Sequence, residues 1–399
     1  MQQHDVIVVG AGPAGSTTAS LLAQAGIDVL LVDKATFPRD KTCGDCLSPR
    51  AQAILHQMGI LEQVDRQAHH APAIRVYAPN GGCAETAVTG LANLPHRTLV
   101  IPRYHFDHIL QQHAIDSGTT FQVGQAQRLL LNDNRVIGVT VNDQDVRSAL
   151  VVLATGASTG LLKASGMLPQ QPRFSVAARR YYHNLPSLDP HLEVYLNQVA
   201  LPGYAWFFPT GPHSANVGVW YNGRWPVSAR AALNTLTCQH PRLRHMLQEA
   251  QPVAAMKSYP IRTDFLTAQK QWPGMLGVGE AIGLVNPFTG EGIDYALESG
   301  QIAAQVLTSI LATDTPELAR FQQYEQQLNS HFRQLFQIMT LAHRLAGYVP
   351  LFNRIFGGNR SNQPLVDALI QTCFGMTDMS VLLRPHFLLQ LLRSRPMTT

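Results

Sequence analysis

The sequence predicts an α/β chain with three parts: a Rossmann-type nucleotide-binding domain, an antiparallel-sheet domain interleaved with it, and a helical C-terminal segment. Three observations predict this. A strand, a glycine-rich turn, a helix, a second strand and an acid follow one another between Asp5 and Asp33. A second strand–glycine–helix succession occupies residues 274–307. Between them, "LPGYAWFFP" at residues 201–209 has the aromatic density and alternation of a strand in another sheet.

Composition sets the outer limits. Of 399 residues, 45% are hydrophobic and 14% charged, ample for a sizeable core. The formal charge of +4 is too small and too spread out for a nucleic-acid partner. Five cysteines, an odd number in a long chain, read as intracellular thiols, which places the protein in the cytoplasm. Met1-Gln2-Gln3-His4 leads directly into a strand-like run, so no leader is expected. No stretch reaches the ~18 apolar residues that a membrane-spanning helix needs.

Asp5 to Val9 is a short β-branched run of the kind buried in parallel sheets. Gly10-Ala11-Gly12-Pro13-Ala14-Gly15 follows at once, then helical residues 16–25, which Gly26 stops. Gly10 makes the turn, Gly12 admits a pyrophosphate to the backbone, and Gly15 lets the helix pack on the strand. The helix N-terminus, with Ala14 in its first turn, presents its positive dipole end to the phosphates. Asp33 lies 23 residues after Gly10, close to the ~20-residue spacing at which a carboxylate meets a ribose hydroxyl. This motif alone does not separate NAD from FAD.

Further along, "VIPRYHFDHIL" puts Arg103 at the start of an amphipathic helix, and "ALVVLATGAST" is an apolar strand ending in a glycine turn. In "GMLGVGEAIGLVNPFTGEGIDYAL" a strand ends at Gly279-Glu280. Gly290-Glu291-Gly292 then precedes a long helix beginning near Ile293. That is a second helix N-terminus suited to a polar patch of the same cofactor.

"FPRDKTCGDCLSPR" raises three readings for Cys43-Gly44-Asp45-Cys46. A thioredoxin-like dithiol needs a helix start to lower one thiol pKa. Zinc needs a second pair of ligands, and Cys83, Cys238 and Cys373 are isolated, so no metal is expected. The third reading is a loop covering a cofactor.

With "FPRDKTCGDCLSPRA", "PGYAWFFPTG" and "GEAIGLVNPFTGEGIDYAL" beside the N-terminal fingerprint, the chain resembles the FAD-dependent geranylgeranyl reductase family, within the group of flavin hydroxylases and halogenases. The resemblance covers roughly residues 4–330. It implies FAD as cofactor, with Asp33 on the adenosine ribose and Ala126 near the adenine. It also implies Cys43, Gly44 and Arg103 near the flavin, with the Gly292 and Ile293 backbone at the isoalloxazine edge. The family's Gly-Asp is Gly279-Glu280 here, and its frequent Ala-Asp-Gly is Ala154-Thr155-Gly156, so the route by which FAD is reduced is left open. Flavin halogenases have a related Trp-x-Trp-x-Ile-Pro stretch, but they also need a lysine near the flavin. None occurs between Lys41 and Lys163.

The implied organisation is an FAD-binding domain from residues 1–75, 97–170 and 270–330, a substrate domain from 76–96 and 171–269, and a helical segment at 331–399. Tyr204, Trp206 and Phe208 would wall an apolar substrate pocket, with Cys43 and Tyr204 as candidate proton donors. The expected reaction is reduction of C=C bonds in a prenyl chain. The alternatives are an FAD monooxygenase acting on an apolar metabolite and a dithiol electron carrier. The tail holds seven arginines (333, 344, 354, 360, 384, 393, 395) against Asp367 and Asp378, a net +5. A basic amphipathic tail of this kind suits peripheral contact with the inner face of a membrane.

Overall fold

The structure is a computed structural model that describes residues 3–91, 93–168, 171–222, 227–312, 317–357, 363–377 and 381. The chain forms two compact units. The first comprises residues 1–40, 104–174 and 261–339; the second comprises 41–103, 175–260 and 340–399.

The first unit holds an eight-stranded sheet. Parallel neighbours run in the order Thr120–Val123, Val29–Asp33, Gln3–Val9, Gln144–Leu153 and Met275–Gly277. Val29–Asp33, Met275–Gly277 and Gln3–Val9 from Val6 onward are almost wholly buried, as the centre of a parallel sheet covered on both faces requires. The helices Pro13–Gln24 and Ile293–Leu311 pack against each other. They meet at Gly300, where a Cβ would lie 2.9 Å from the Ala14 carbonyl, and the Thr18 hydroxyl bonds both Ala14 O and Gly300 O. The helix Glu317–Leu345 lays Phe321, Tyr324, Leu328, Phe332 and Phe336 along one stripe into this core. Tyr324 donates to the Gly277 carbonyl at 2.6 Å.

The second unit is built on a sheet ordered Gln251–Pro252, Phe174–His183, Ser214–Tyr221, Gly203–Gly211, Leu192–Tyr195, Ala73–Tyr77 and Cys83–Ala87. Lys257–Arg262 joins it beside Phe174–His183. The neighbours in that order pair antiparallel, except Leu192–Tyr195 with Ala73–Tyr77. Strand alternation divides it cleanly. Ala178, Tyr182, Ala205, Phe207, Val217 and Val219 face a core closed by the helix Ala229–Gln239. Arg179, Tyr181, Trp206, Phe208 and Asn216 therefore belong to the opposite face.

Two boundaries differ from the sequence reading. Residues 41–75 and 97–103 group with the second unit, because the strand Ala73–Tyr77 pairs with Leu192–Tyr195, more than a hundred residues away. The tail is not a separate segment either. Its first helix begins at Glu317 and its residues up to Met339 group with the first unit. The helix Gln363–Cys373 lies along the edge strand Cys83–Ala87, where Thr86 donates to Asp367 and Gln363 to the Glu85 carbonyl. Covering an edge in this way blocks unwanted strand pairing. Arg360, Asp378, Arg384, Arg393 and Arg395 lie outside the described residues. Among the described residues, no helix is long and apolar enough to cross a membrane.

Candidate active site

In the first unit the strand Gln3–Val9 runs into a turn that only glycines permit. Gly10 has φ +110°, and a Cβ on it would stand 2.3 Å from the Ala154 carbonyl; one on Gly15 would stand 1.8 Å from the Gly10 carbonyl. Gly12 is different. Its φ of −77° suits any residue, and the nearest atom to a Cβ there is Arg39 Nη2 at 3.8 Å. The helix Pro13–Gln24 has no side-chain cap and no acid in its first turn, so its N-terminal N–H groups face that open ground. Arg39 stands there too, held by Asp107 at 2.7 Å and stacked over Phe37.

Asp33 accepts from the Ala11 N–H at 2.8 Å and the Ala35 N–H at 2.9 Å. Its carbonyl receives the Gly124 N–H, which brings the start of the Ala126–Asn132 strand, and Ala126 with it, to the same end of the sheet. Glu280 is anchored through Oε1 by the Arg262 N–H at 3.1 Å, and its Oε2 borders the Gly156 turn. The Thr155 hydroxyl bonds the Ser158 carbonyl and so closes that turn. Gly290 adopts φ +72° in a loop whose next residue, Glu291, caps the following helix. Its carboxylate takes both the Gly292 N–H at 3.0 Å and the Ile293 N–H at 2.9 Å. The N–H groups of Gly292 and Ile293, whose backbone the resemblance puts at the isoalloxazine edge, are thus engaged by a neighbouring side chain.

In the second unit, Tyr204, Trp206 and Phe208 do share a face. Ring centroids lie 6.0 Å apart for Tyr204–Trp206 and 6.3 Å for Trp206–Phe208. Gly218, on the neighbouring strand, leaves room for the indole, since a Cβ there would meet Trp206 Cζ2 at 2.1 Å. The Cys43-Gly44 turn lies against this wall, with the Gly44 Cβ position 3.3 Å from the Phe208 ring and 3.7 Å from Trp206 Nε1. Asn216 ties the parts together. Its amide donates to the Cys43 carbonyl at 2.7 Å and to Asp45 at 2.8 Å, and its oxygen accepts from Trp206 Nε1 at 3.0 Å. Tyr204 stands apart from this cluster. It is four residues from Phe208, about 13 Å along the strand, beside Trp220 and a cavity of about 240 Å³ lined by Val199, Val219 and Leu236. Cys46 is buried in a strand paired with Val100, two residues short of the Ser48 cap of the next helix, and it is not at a helix start. Arg103 is buried, and its backbone N–H reaches Asp45 at 3.3 Å.

The FAD binding domain family matches residues 3–171. The menaquinone reductase of Mycolicibacterium smegmatis is 35% identical over 324 residues, 78% of each chain. Digeranylgeranylglycerophospholipid reductase 1 of Methanopyrus kandleri is 31% identical over 351 residues, 84% of this chain and 88% of the relative. The chain belongs to the FAD-dependent geranylgeranyl reductase family. A solved geranylgeranyl bacteriochlorophyll reductase-like protein from Thermoplasma acidophilum has the same fold, with a TM-score of 0.80 at 23% identity over 100% of this chain and 98% of its own. The flavin-dependent brominase Bmp2 also shares the fold, with a TM-score of 0.77 at 19% identity, covering 94% of each chain.

The protein is therefore a FAD-dependent oxidoreductase, and the first unit's residues fit that cofactor. The uncapped helix, the open side of Gly12 and the Asp33 carboxylate answer a pyrophosphate and a ribose. Two residues escaped the sequence reading. Arg39 stands in the F-P-R-D-K stretch, but only the structure brings it to the open side of Gly12. Asp45 lay inside the C-G-D-C stretch, and the partners that mark it, Tyr181 and Asn216, are over a hundred residues away.

Proposed function

We propose that the enzyme saturates C=C bonds in the isoprenoid chain of a lipid. The observation that carries this reading is the aromatic wall of Trp206 and Phe208 with the Cys43 turn laid on it. Menaquinone and digeranylgeranylglycerophospholipid, the compounds in the relatives' names, both carry such chains. Bound FAD, when reduced, supplies a hydride. The second alkene carbon then needs a proton, and an isolated alkene has no polar handle by which to attract one. The donor must therefore be held close in a water-poor pocket. Cys43 is our candidate donor, through its Sγ–H, and Tyr204 is assigned to the pocket wall. Each turnover adds two hydrogens to the chain and leaves the cofactor oxidised, so a separate electron donor must restore it.

The test is anaerobic incubation of the dithionite-reduced holoprotein with a menaquinone and with an unsaturated archaeal-type glycerophospholipid. Air oxidation follows, so that any quinol head returns to quinone, and then fragment mass analysis. Two hydrogens retained in the chain are expected. An unchanged chain, with oxygen inserted once air is admitted, would replace this reading with the monooxygenase.

A membrane-borne substrate requires a visit to the membrane, and we assign that contact to the end of the long C-terminal helix. Leu341, Leu345 and Tyr348 are 55%, 51% and 63% exposed, and Val349 is exposed beside them. Residues 326–366 contain no Asp or Glu, while Arg344 is exposed within the patch. Each Arg near an anionic leaflet contributes about 1 kcal/mol, and the leucines can enter the headgroup region. The protein should sediment with anionic vesicles at low salt and be released as salt rises. The double change Leu341→Asp and Leu345→Asp should abolish sedimentation without loss of FAD. Equal sedimentation of both proteins would remove this patch from the reading.

A further inference from the structure

The Asp45 carboxyl is wholly buried, yet donors reach it from three separate elements. Tyr181 donates its hydroxyl to Oδ2 at 2.5 Å and Asn216 its amide at 2.8 Å; the Arg103 N–H approaches Oδ1 at 3.3 Å. Asp45 itself sits at φ +67°, a conformation disfavoured for a residue with a side chain. Its N–H points back to Cys43 Sγ at 3.3 Å, and its carbonyl receives the Ile101 N–H. The turn that presents Cys43 is therefore bent through Asp45 and pinned by that carboxyl. Three donors and no acceptor is the arrangement a carboxylate wants.

We propose that Asp45 is a positioning residue whose ionisation locks the Cys43-Gly44 turn on the aromatic wall, so that the turn is ordered when Asp45 is charged and loosens when it is protonated. A protonated carboxyl must itself donate. It then either reverses the Tyr181 hydroxyl or gives up one of the three bonds. Burial pushes the Asp45 pKa up to about 6, against the lowering influence of Tyr181, Asn216, Arg179 and Arg103. Tyr181 and Arg179 lie on the strand Phe174–His183, Arg103 opens the helix Arg103–Asp116, and Cys43 is the other titratable group of the turn. The switch therefore falls near pH 6. Protonation favours the loosened turn because there Asp45 stays buried but lacks one of the donors that lower its pKa, so its carboxyl titrates higher than in the ordered turn. Complete unfolding, which exposes the carboxyl to water, has the opposite sign. The folded pKa stands above the usual 3.8, so this group disfavours folding increasingly as pH rises from about 4 through about 6. A charge that costs stability and orders a reactive turn is the trade expected at a functional site.

The proposal rests on the reductase reading only for its consequence on turnover, so its test does not use a prenyl substrate. Hydrogen exchange of the holoprotein is measured on the peptide spanning residues 41–50 from pH 5 to 8, corrected for intrinsic rates. Protection should fall roughly tenfold as pH drops through 6. Asp45→Asn should remove the pH dependence while its Tm at pH 8 is no lower than that of the parent. Tyr181→Phe withdraws a donor that favours the charged form, so it should move the transition to higher pH. That variant also decides the matter if Asp45→Asn fails to fold. A transition that stays at the same pH in Tyr181→Phe, or persists in Asp45→Asn, overturns the proposal. With a confirmed substrate, kcat in the parent should fall along the same limb.

Discussion

Gly12→Val should yield a folded, colourless protein. A valine is usually fatal in a glycine-rich turn because it collides with the turn itself, and here that would hold for Gly10 and Gly15, whose Cβ positions run into backbone at 2.3 and 1.8 Å. At Gly12 the backbone angles suit valine, and the nearest protein atom is the end of the flexible Arg39 side chain. The added methyl groups would instead fill the ground in front of the helix N-terminus, where a pyrophosphate must sit to meet the N–H groups. Hydrogen bonds to a charged group contribute about 1.5–3 kcal/mol each. Losing two of them weakens binding by roughly 10²–10⁴-fold at 1.4 kcal/mol per decade. The measurement is FAD released per chain on denaturation, with far-UV circular dichroism as the control for folding. A variant with native flavin content would show that the pyrophosphate lies elsewhere. The apoprotein should also melt earlier, because a ligand present at a hundred times its Kd contributes about 2.7 kcal/mol.

That unit was legible because its information is local and ordered. Strand, glycines, helix, strand and Asp33 follow one another within thirty residues, and each has its own steric reason. The aromatic strand was legible for a similar reason: alternation alone puts Trp206 and Phe208 on one face. What escaped depends on distant pairing. Nothing near Ala73 announces that it begins a strand beside Leu192–Tyr195, and residues 41–75 group with the second unit through such pairing. Nothing near Asp45 announces Tyr181 and Asn216. The engagement of the Gly292 and Ile293 N–H groups was hidden for a third reason, since their acceptor is the neighbouring Glu291, whose rotamer the sequence does not specify.

The two cysteines of the C-G-D-C stretch should then separate sharply. Cys43→Ala should lower turnover by about 10²–10⁴-fold, the usual contribution of a positioned proton donor, while FAD content stays unchanged. Cys46→Ala should cost less than about tenfold, mostly through stability, since its side chain is buried in a strand paired with Val100. The asymmetry follows from placement. Cys43 is half-buried on a turn laid against Phe208 and Trp206, and its carbonyl and sulfur are both tied to the Asn216–Asp45 cluster. Neither cysteine is in a disulfide. A working dithiol would pass electrons through both sulfurs, and losing either would stop it. The comparison is made anaerobically with pre-reduced protein, so that delivery of electrons to the flavin does not limit the rate. Under that condition a donor that only protonates the chain shows its full effect in Cys43→Ala. Equal and large losses in the two variants would return the loop to redox chemistry. Two small losses would move the proton source away from Cys43, and Tyr204, at the other end of the same wall, becomes the next residue to replace.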